Sequence, residues 1–130
     1  MTTDTISDFL IRIKNGYMAH KKSVLVPYSK INYEMATILG KKGFIGSFKS
    51  EKKETSKMLA VELLYENGEP KMTNVSRVSK PGRRVYVKKT GIPRVLGGLG
   101  MVLISTPQGI FTGEDARKKS LGGELLCKLW

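Results

Sequence analysis

From Pro70 to Gly113 the chain contains no carboxylate, yet it carries Lys71, Arg77, Lys80, Arg83, Arg84, Lys88, Lys89 and Arg94. A segment this one-sided has no counter-charge of its own, so it folds against something acidic. Phosphate backbones and anionic membranes are the two classes of partner that qualify. The same segment sets Ser, Thr, Gln, Gly and a Tyr at positions that read as turns and strand ends. That mix suits the shape and edges of a nucleic acid better than a lipid surface.

The asymmetry extends to the two halves of the 130-residue chain. Met1 to Pro70 holds 11 basic and 8 acidic residues, a net of +3, and Lys71 to Trp130 holds 12 and 3, a net of +9. The first half reads as a scaffold and the second as the charged working surface. A chain of this length hides roughly two-thirds of its unfolded surface, enough for a core without disulfides or metal. Cys127 is the sole cysteine. It excludes an internal disulfide and reads as a small buried residue within an apolar strand. With Asp4 and Asp8 at once and no apolar leader, the start does not resemble a targeting segment. No apolar run has the length of a membrane span. The expected setting is the cytoplasm, or a plastid or other organelle carrying its own copy.

Helical spacing comes first. Ile6, Phe9, Leu10, Ile13 and Tyr17 form one apolar stripe, with Asn15-Gly16 expected to fray its end. Val24 and Val26 alternate in a short strand closed by Pro27, and Ser29 caps a second helix whose stripe is Ile31, Met35, Ile38 and Leu39, stopped near Gly43. Phe44–Phe48 and Met58–Tyr65 read as strands joined by a charged loop, Ser50–Lys57. Asn67-Gly68-Glu69-Pro70 then marks a boundary. Beyond it, strands are expected at Thr73–Ser79, Arg84–Lys88, Met101–Ser105, Gly109–Thr112 and Glu124–Trp130, with a turn at Lys80-Pro81-Gly82 and a short helix over Glu114–Lys119. The fold class is α+β: an N-terminal α-β-α-β-β domain, residues 1–68, and a mostly antiparallel β domain with a short helix, residues 69–130.

Catalytic groups are scarce. His20, the only histidine, falls in a loop and reads as solvated or RNA-facing, since a general base needs a positioned partner. Glu114, Asp115 and Glu124 are the only carboxylates after Glu69, too few for a metal cage or an acid pair. No cofactor or metal is expected. Gly97-Gly98-Leu99-Gly100 lacks the lysine and hydroxyl of a phosphate loop. The bend Ser105-Thr106-Pro107-Gln108-Gly109 offers hydroxyls, an amide and backbone N–H groups suited to a shallow RNA minor groove, but the same residues also serve as plain turn formers. Tyr86 stacks on a base or stays a half-buried strand aromatic. Arg83, Arg84, Lys88 and Lys89 read as phosphate contacts that add affinity and salt dependence without base specificity.

Several motifs, in order, carry a resemblance. In the first half they are Asp8-Phe9-Leu10-Ile11-Arg12-Ile13-Lys14-Asn15 and Val26-Pro27-Tyr28-Ser29-Lys30. In the second they are Arg77-Val78-Ser79-Lys80-Pro81-Gly82-Arg83-Arg84-Val85-Tyr86, Gly98-Leu99-Gly100, Ser105-Thr106 with Gly109, and Ala116-Arg117 followed by Leu121-Gly122-Gly123-Glu124. Over essentially its full length the chain resembles the family of the eighth small-subunit ribosomal protein, bacterial or plastid type.

The resemblance implies a structural protein rather than an enzyme. It would bind the central domain of small-subunit ribosomal RNA early in assembly, gripping an irregular internal loop chiefly through its C-terminal domain. It implies RNA-binding roles for Ser105, Thr106, Gln108, Gly109, Glu124 and Tyr86, with Lys80, Arg83, Arg84 and Lys88 on phosphates. Glu124, a lone carboxylate on a basic surface, would bond base amino groups or 2′-hydroxyls. Ser29, Lys30, Arg12 and Asn15 match positions facing a second RNA segment. Implied partners are neighbouring small-subunit proteins and an rRNA-like fold on the protein's own messenger, with a monomer outside the ribosome and no membrane. Pro107 departs from the family's usual Ser or Asn and removes a backbone donor. Two other readings compete: a generic single-strand binder, which needs several surface aromatics, and a nuclease, which needs a carboxylate cluster.

Overall fold

The computed structural model describes residues 5–53, 56–95 and 100–130. These divide into two compact units, Met1–Thr73 and Asn74–Trp130.

The first unit begins with α1, Thr5–Met18. Its expected stripe is buried throughout: Phe9 and Ile13 are fully covered, Leu10 and Tyr17 nearly so. Each such side chain contributes about 1.5–3 kcal/mol by leaving water. The helix does not end at Asn15-Gly16 as the sequence suggests. Gly16 is buried inside it, and a Cβ there would lie 2.4 Å from Val24 Cγ1 and 2.9 Å from Leu63 Cδ1. Here glycine lets α1 pack closely on the sheet rather than stopping the helix. The Tyr17 hydroxyl donates to the Phe44 carbonyl at 2.5 Å and accepts from the Leu64 amide at 3.1 Å, which satisfies a buried polar tip.

Strand β1, Ser23–Pro27, leads to α2, Lys30–Lys41, where the Ser29 hydroxyl accepts from the Asn32 amide at 3.0 Å as the expected cap. Two antiparallel strands follow, β2 (Phe48–Lys53) and β3 (Ser56–Glu62), in the sheet order β1-β3-β2. Residues 44–47 are therefore not strand, and the expected charged loop is largely strand. β2 is an edge strand, where lysines and a glutamate are tolerated and discourage pairing with other chains. Two short strands, β4 (Tyr65–Glu66) and β5 (Glu69–Pro70), close a hairpin through Asn67 and Gly68, both at positive φ (54° and 79°).

The second unit is one antiparallel sheet built around β10, Gly123–Leu129. On one side β10 pairs with β8, Met101–Thr106, which pairs in turn with β9, Gly109–Thr112. On its other side lie two short strands, β6 (Val75–Arg77) beside Cys127–Leu129 and β7 (Tyr86–Val87) beside Gly123 and Glu124. Both are shorter than the sequence suggests. The register of β10 against β8 shifts between Leu125 and Cys127, and at this bulge the Leu126 carbonyl accepts from Val78 N (3.0 Å), Ser79 N (3.4 Å) and Arg77 Nη1 (2.9 Å). The bulge thus releases the chain from β6 and sends out the cationic turn before it returns as β7. Helix α3, Gly113–Lys118, is capped by Thr112, whose hydroxyl accepts from Asp115 N at 3.1 Å. Beneath the sheet, Ile92, Val95, Val102, Ile104, Ala116 and Leu125 form a core cluster. Cys127 is fully buried, and burial pushes its thiol up to about 12. Gly97, Gly98 and Leu99 of the Gly97-Gly98-Leu99-Gly100 run lie outside the described residues.

Candidate nucleic-acid interface

Pairing in the second unit sets three of the expected site residues in one row. Ser105 of β8 faces Glu124 of β10, and Glu124 faces Tyr86 of β7. Directly opposed residues of an antiparallel sheet share a face, so the hydroxyl, carboxylate and phenol ring lie side by side. Tyr86 is 69% exposed, which settles it as a surface aromatic rather than a half-buried one.

The row is this compact because of Leu121-Gly122-Gly123-Glu124. A Cβ on Gly123 would stand 2.1 Å from the Ser105 carbonyl oxygen, and one on Gly122 would stand 2.5 Å from that of Val87. Both obstacles are backbone and cannot swing aside. The paired glycines are what let β7 and β8 close on β10 at this point.

At the end of β8 the chain reverses through Pro107 and Gln108, both exposed. Proline holds a negative φ, so the reversal is absorbed by Gly109 at φ 123°. Thr106 is almost buried; its hydroxyl donates to the Gly109 carbonyl at 2.8 Å and accepts from Gln108 N at 3.1 Å. That hydroxyl is spent on shaping the tip, and Gln108 projects from it.

Glu124 is not left to an outside partner alone. Its Oε2 accepts from the Ser79 hydroxyl and from Arg84 Nη1, the latter at 3.0 Å. Burial raises its pKa, but the bonds from Ser79 and Arg84 and the charges of Arg84 and Arg77 outweigh that, leaving the carboxyl below its ordinary value. The lone carboxylate therefore serves first as an internal anchor. Ser79, fully buried, also accepts from the Val85 amide at 3.2 Å.

Between Ser79 and Arg84 the chain forms the expected turn. Lys80 N bonds Arg83 O and Arg83 N bonds Lys80 O, each at 2.9 Å, around Pro81-Gly82. Lys80 and Arg83 are exposed at this tip, and Lys88 is exposed just past β7. Two projecting elements, a neutral polar tip and a cationic tip, thus stand on a sheet whose row of partly buried Ser105 and Glu124 ends in exposed Tyr86. Phosphates suit the cations, and sugar or base edges suit the hydroxyl, amide and ring.

In the first unit, Arg12 bonds Asp8 Oδ1 at 3.0 Å through Nε and Leu25 O at 3.3 Å through Nη1. Asn15 and Lys30 are exposed and Ser29 caps α2. No hydrogen bond among the described residues joins Arg12 or Asn15 to Ser29 or Lys30. Among the described residues no group of three or more His, Cys, Asp or Glu stands close enough to hold a metal ion.

A family model described as ribosomal protein S8 matches residues 4–130. Curated relatives agree over whole chains. The small ribosomal subunit protein uS8 of Solibacter usitatus is 46% identical over 131 residues, covering 100% of both chains. Protein uS8c of Tetradesmus obliquus is 47% identical over 138 residues and uS8 of Oleidesulfovibrio alaskensis 48% over 130, each again covering 100% of both chains.

Proposed function

The chain belongs to the ribosomal protein S8 family of small-subunit proteins, and from that premise we propose that it binds the central domain of small-subunit ribosomal RNA at an irregular helix, nucleating assembly. The family is one of ribosomal structural proteins rather than enzymes, and the chain's place is in the ribosome.

The observation that carries the proposal is the Ser105–Glu124–Tyr86 row between two exposed tips. An irregular internal loop leaves bases unpaired and splayed, so edges that pairing occupies in a regular duplex become free to bond. Ser105 and Gln108 bond those edges, Gly109 brings backbone close to them, and Thr106 holds the tip in shape. Tyr86 packs on a sugar or an unstacked base. Lys80, Arg83 and Lys88 meet phosphates, while Arg84 divides its charge between phosphate and Glu124. Arg12, Asn15, Ser29 and Lys30 touch a second RNA segment from the other unit. A monomer suffices, because the row is complete within one unit of one chain. The same groups accept a similar fold on the protein's own messenger, and neighbouring small-subunit proteins take surfaces the RNA leaves free.

Competition tests this reading. A labelled RNA helix with an asymmetric internal loop is bound, then challenged at rising salt with an uninterrupted duplex of the same length. The expected result is that the duplex competes poorly and that overall affinity falls steeply with salt. Equal competition at high salt would overturn the proposal.

A further inference from the structure

Two exposed tyrosines of the first unit and the half-buried Phe48 form a connected set away from the Ser105–Glu124–Tyr86 row. Tyr28 lies between β1 and α2, Tyr33 one turn into α2, and Phe48 at the start of β2. The Tyr28 and Tyr33 centroids are 6.2 Å apart with rings tilted 56°, and Tyr33 meets Phe48 edge-on at 5.3 Å. Tyr28 is 37% and Tyr33 45% exposed. The Tyr28 amide donates to the Lys57 carbonyl at 3.1 Å, carrying the β1–β3 ladder one residue further. That registration sets the Lys57 ammonium 4.0 Å from the centroid of the Tyr28 ring. Lys30 is exposed two residues on.

We propose that Tyr28 and Tyr33 are a stacking platform for unpaired bases of a single-stranded RNA segment, with Lys57 and Lys30 meeting its phosphates. The inference rests on the second RNA segment of the reading above, from which it takes its class of ligand and Lys30; none of its residues belongs to the Ser105–Glu124–Tyr86 row. Every base has a ring face, so exposed tyrosines bind single strands with little sequence preference. Lys57 already lies over one of them as a cation on an aromatic face, and its flexible stem lets the ammonium reach a phosphate while the ring takes a base. An apolar protein partner would have to strip water from both ammonium groups, a cost that a phosphate turns into a gain.

The test uses the full chain and a short unstructured RNA carrying 2-aminopurine. Stacking quenches the probe, and Tyr28→Leu combined with Tyr33→Leu is expected to remove the quench and weaken binding about tenfold or more. Tyr28→Phe keeps a ring and is expected to retain it. Binding of the internal-loop helix, measured in parallel, is expected to stay unchanged in both variants and reports the separate interface, while urea unfolding of each variant reports the fold of the first unit. Quench that survives the double substitution would overturn the platform. So would loss of binding to a neighbouring small-subunit protein with RNA binding intact, which would mark the patch as a protein contact.

Discussion

The Ser79 hydroxyl donates to Oε2 of Glu124 while accepting from the Val85 amide, so one buried side chain holds both the carboxylate and the strand that leaves the cationic turn. Residues 45 positions apart in sequence are locked at the centre of the proposed RNA surface.

Ser79→Ala leaves the Val85 amide and a partly desolvated carboxylate short of a partner. An unsatisfied buried group costs about 1–3 kcal/mol, and urea unfolding is expected to show a loss in that range. Affinity for the internal-loop helix falls with it, while the salt slope stays the same because no cation has been removed.

Acid sensitivity follows from the same carboxylate. Its pKa is lowered in the folded protein, since the hydrogen bonds and nearby arginines outweigh the opposing effect of burial. A group depressed in this way adds stability above its unfolded value and loses it as the pH falls through the folded value. Glu124→Gln is therefore expected to flatten the decline of stability below the ordinary carboxylate range. An unchanged acid limb in denaturation curves would show that Glu124 is not an anchor.

Gly123→Ala puts a methyl group 2.1 Å from the Ser105 carbonyl oxygen. Forcing β8 and β10 apart costs about 1–3 kcal/mol and misaligns Ser105 with Glu124. Denaturation should show the loss, and RNA affinity should fall beyond what the fraction unfolded explains.

Arg83 and Arg84 are neighbours with different duties. Arg83→Ala is expected to weaken all RNA alike and lower the salt slope by about one. Arg84→Ala also removes the ion pair to Glu124, leaving it the charge of Arg77, and costs roughly 1 kcal/mol of stability because Arg84 is half exposed. Salt titrations with denaturation of both variants separate the two.

Local pattern revealed most of the fold. The α1 stripe, the Ser29 cap, the Lys80–Arg83 turn and the β8–β9 hairpin each depend on residues near in sequence, where spacing and turn chemistry are decisive. Misreadings came where distant contacts override that signal. Gly16 resembles a helix end but is chosen for its approach to Val24, and charged β2 resembles a loop but lies at a sheet edge. The candidate site behaves the same way. Ser105, Gln108 and Tyr86 stand out as polar and aromatic groups at a turn and a strand end, whereas Ser79 has no role apart from its motif until the fold brings Glu124 to it. Tyr28 and Tyr33 were likewise hidden, one beside a cap and the other off the apolar stripe of α2.

A chemical footprint on protein-free small-subunit ribosomal RNA tests the central claim most directly. The account predicts protection concentrated at one irregular helix of the central domain, reduced at that helix by Ser105→Ala. Protection scattered over single-stranded segments, with no change on that substitution, would contradict it.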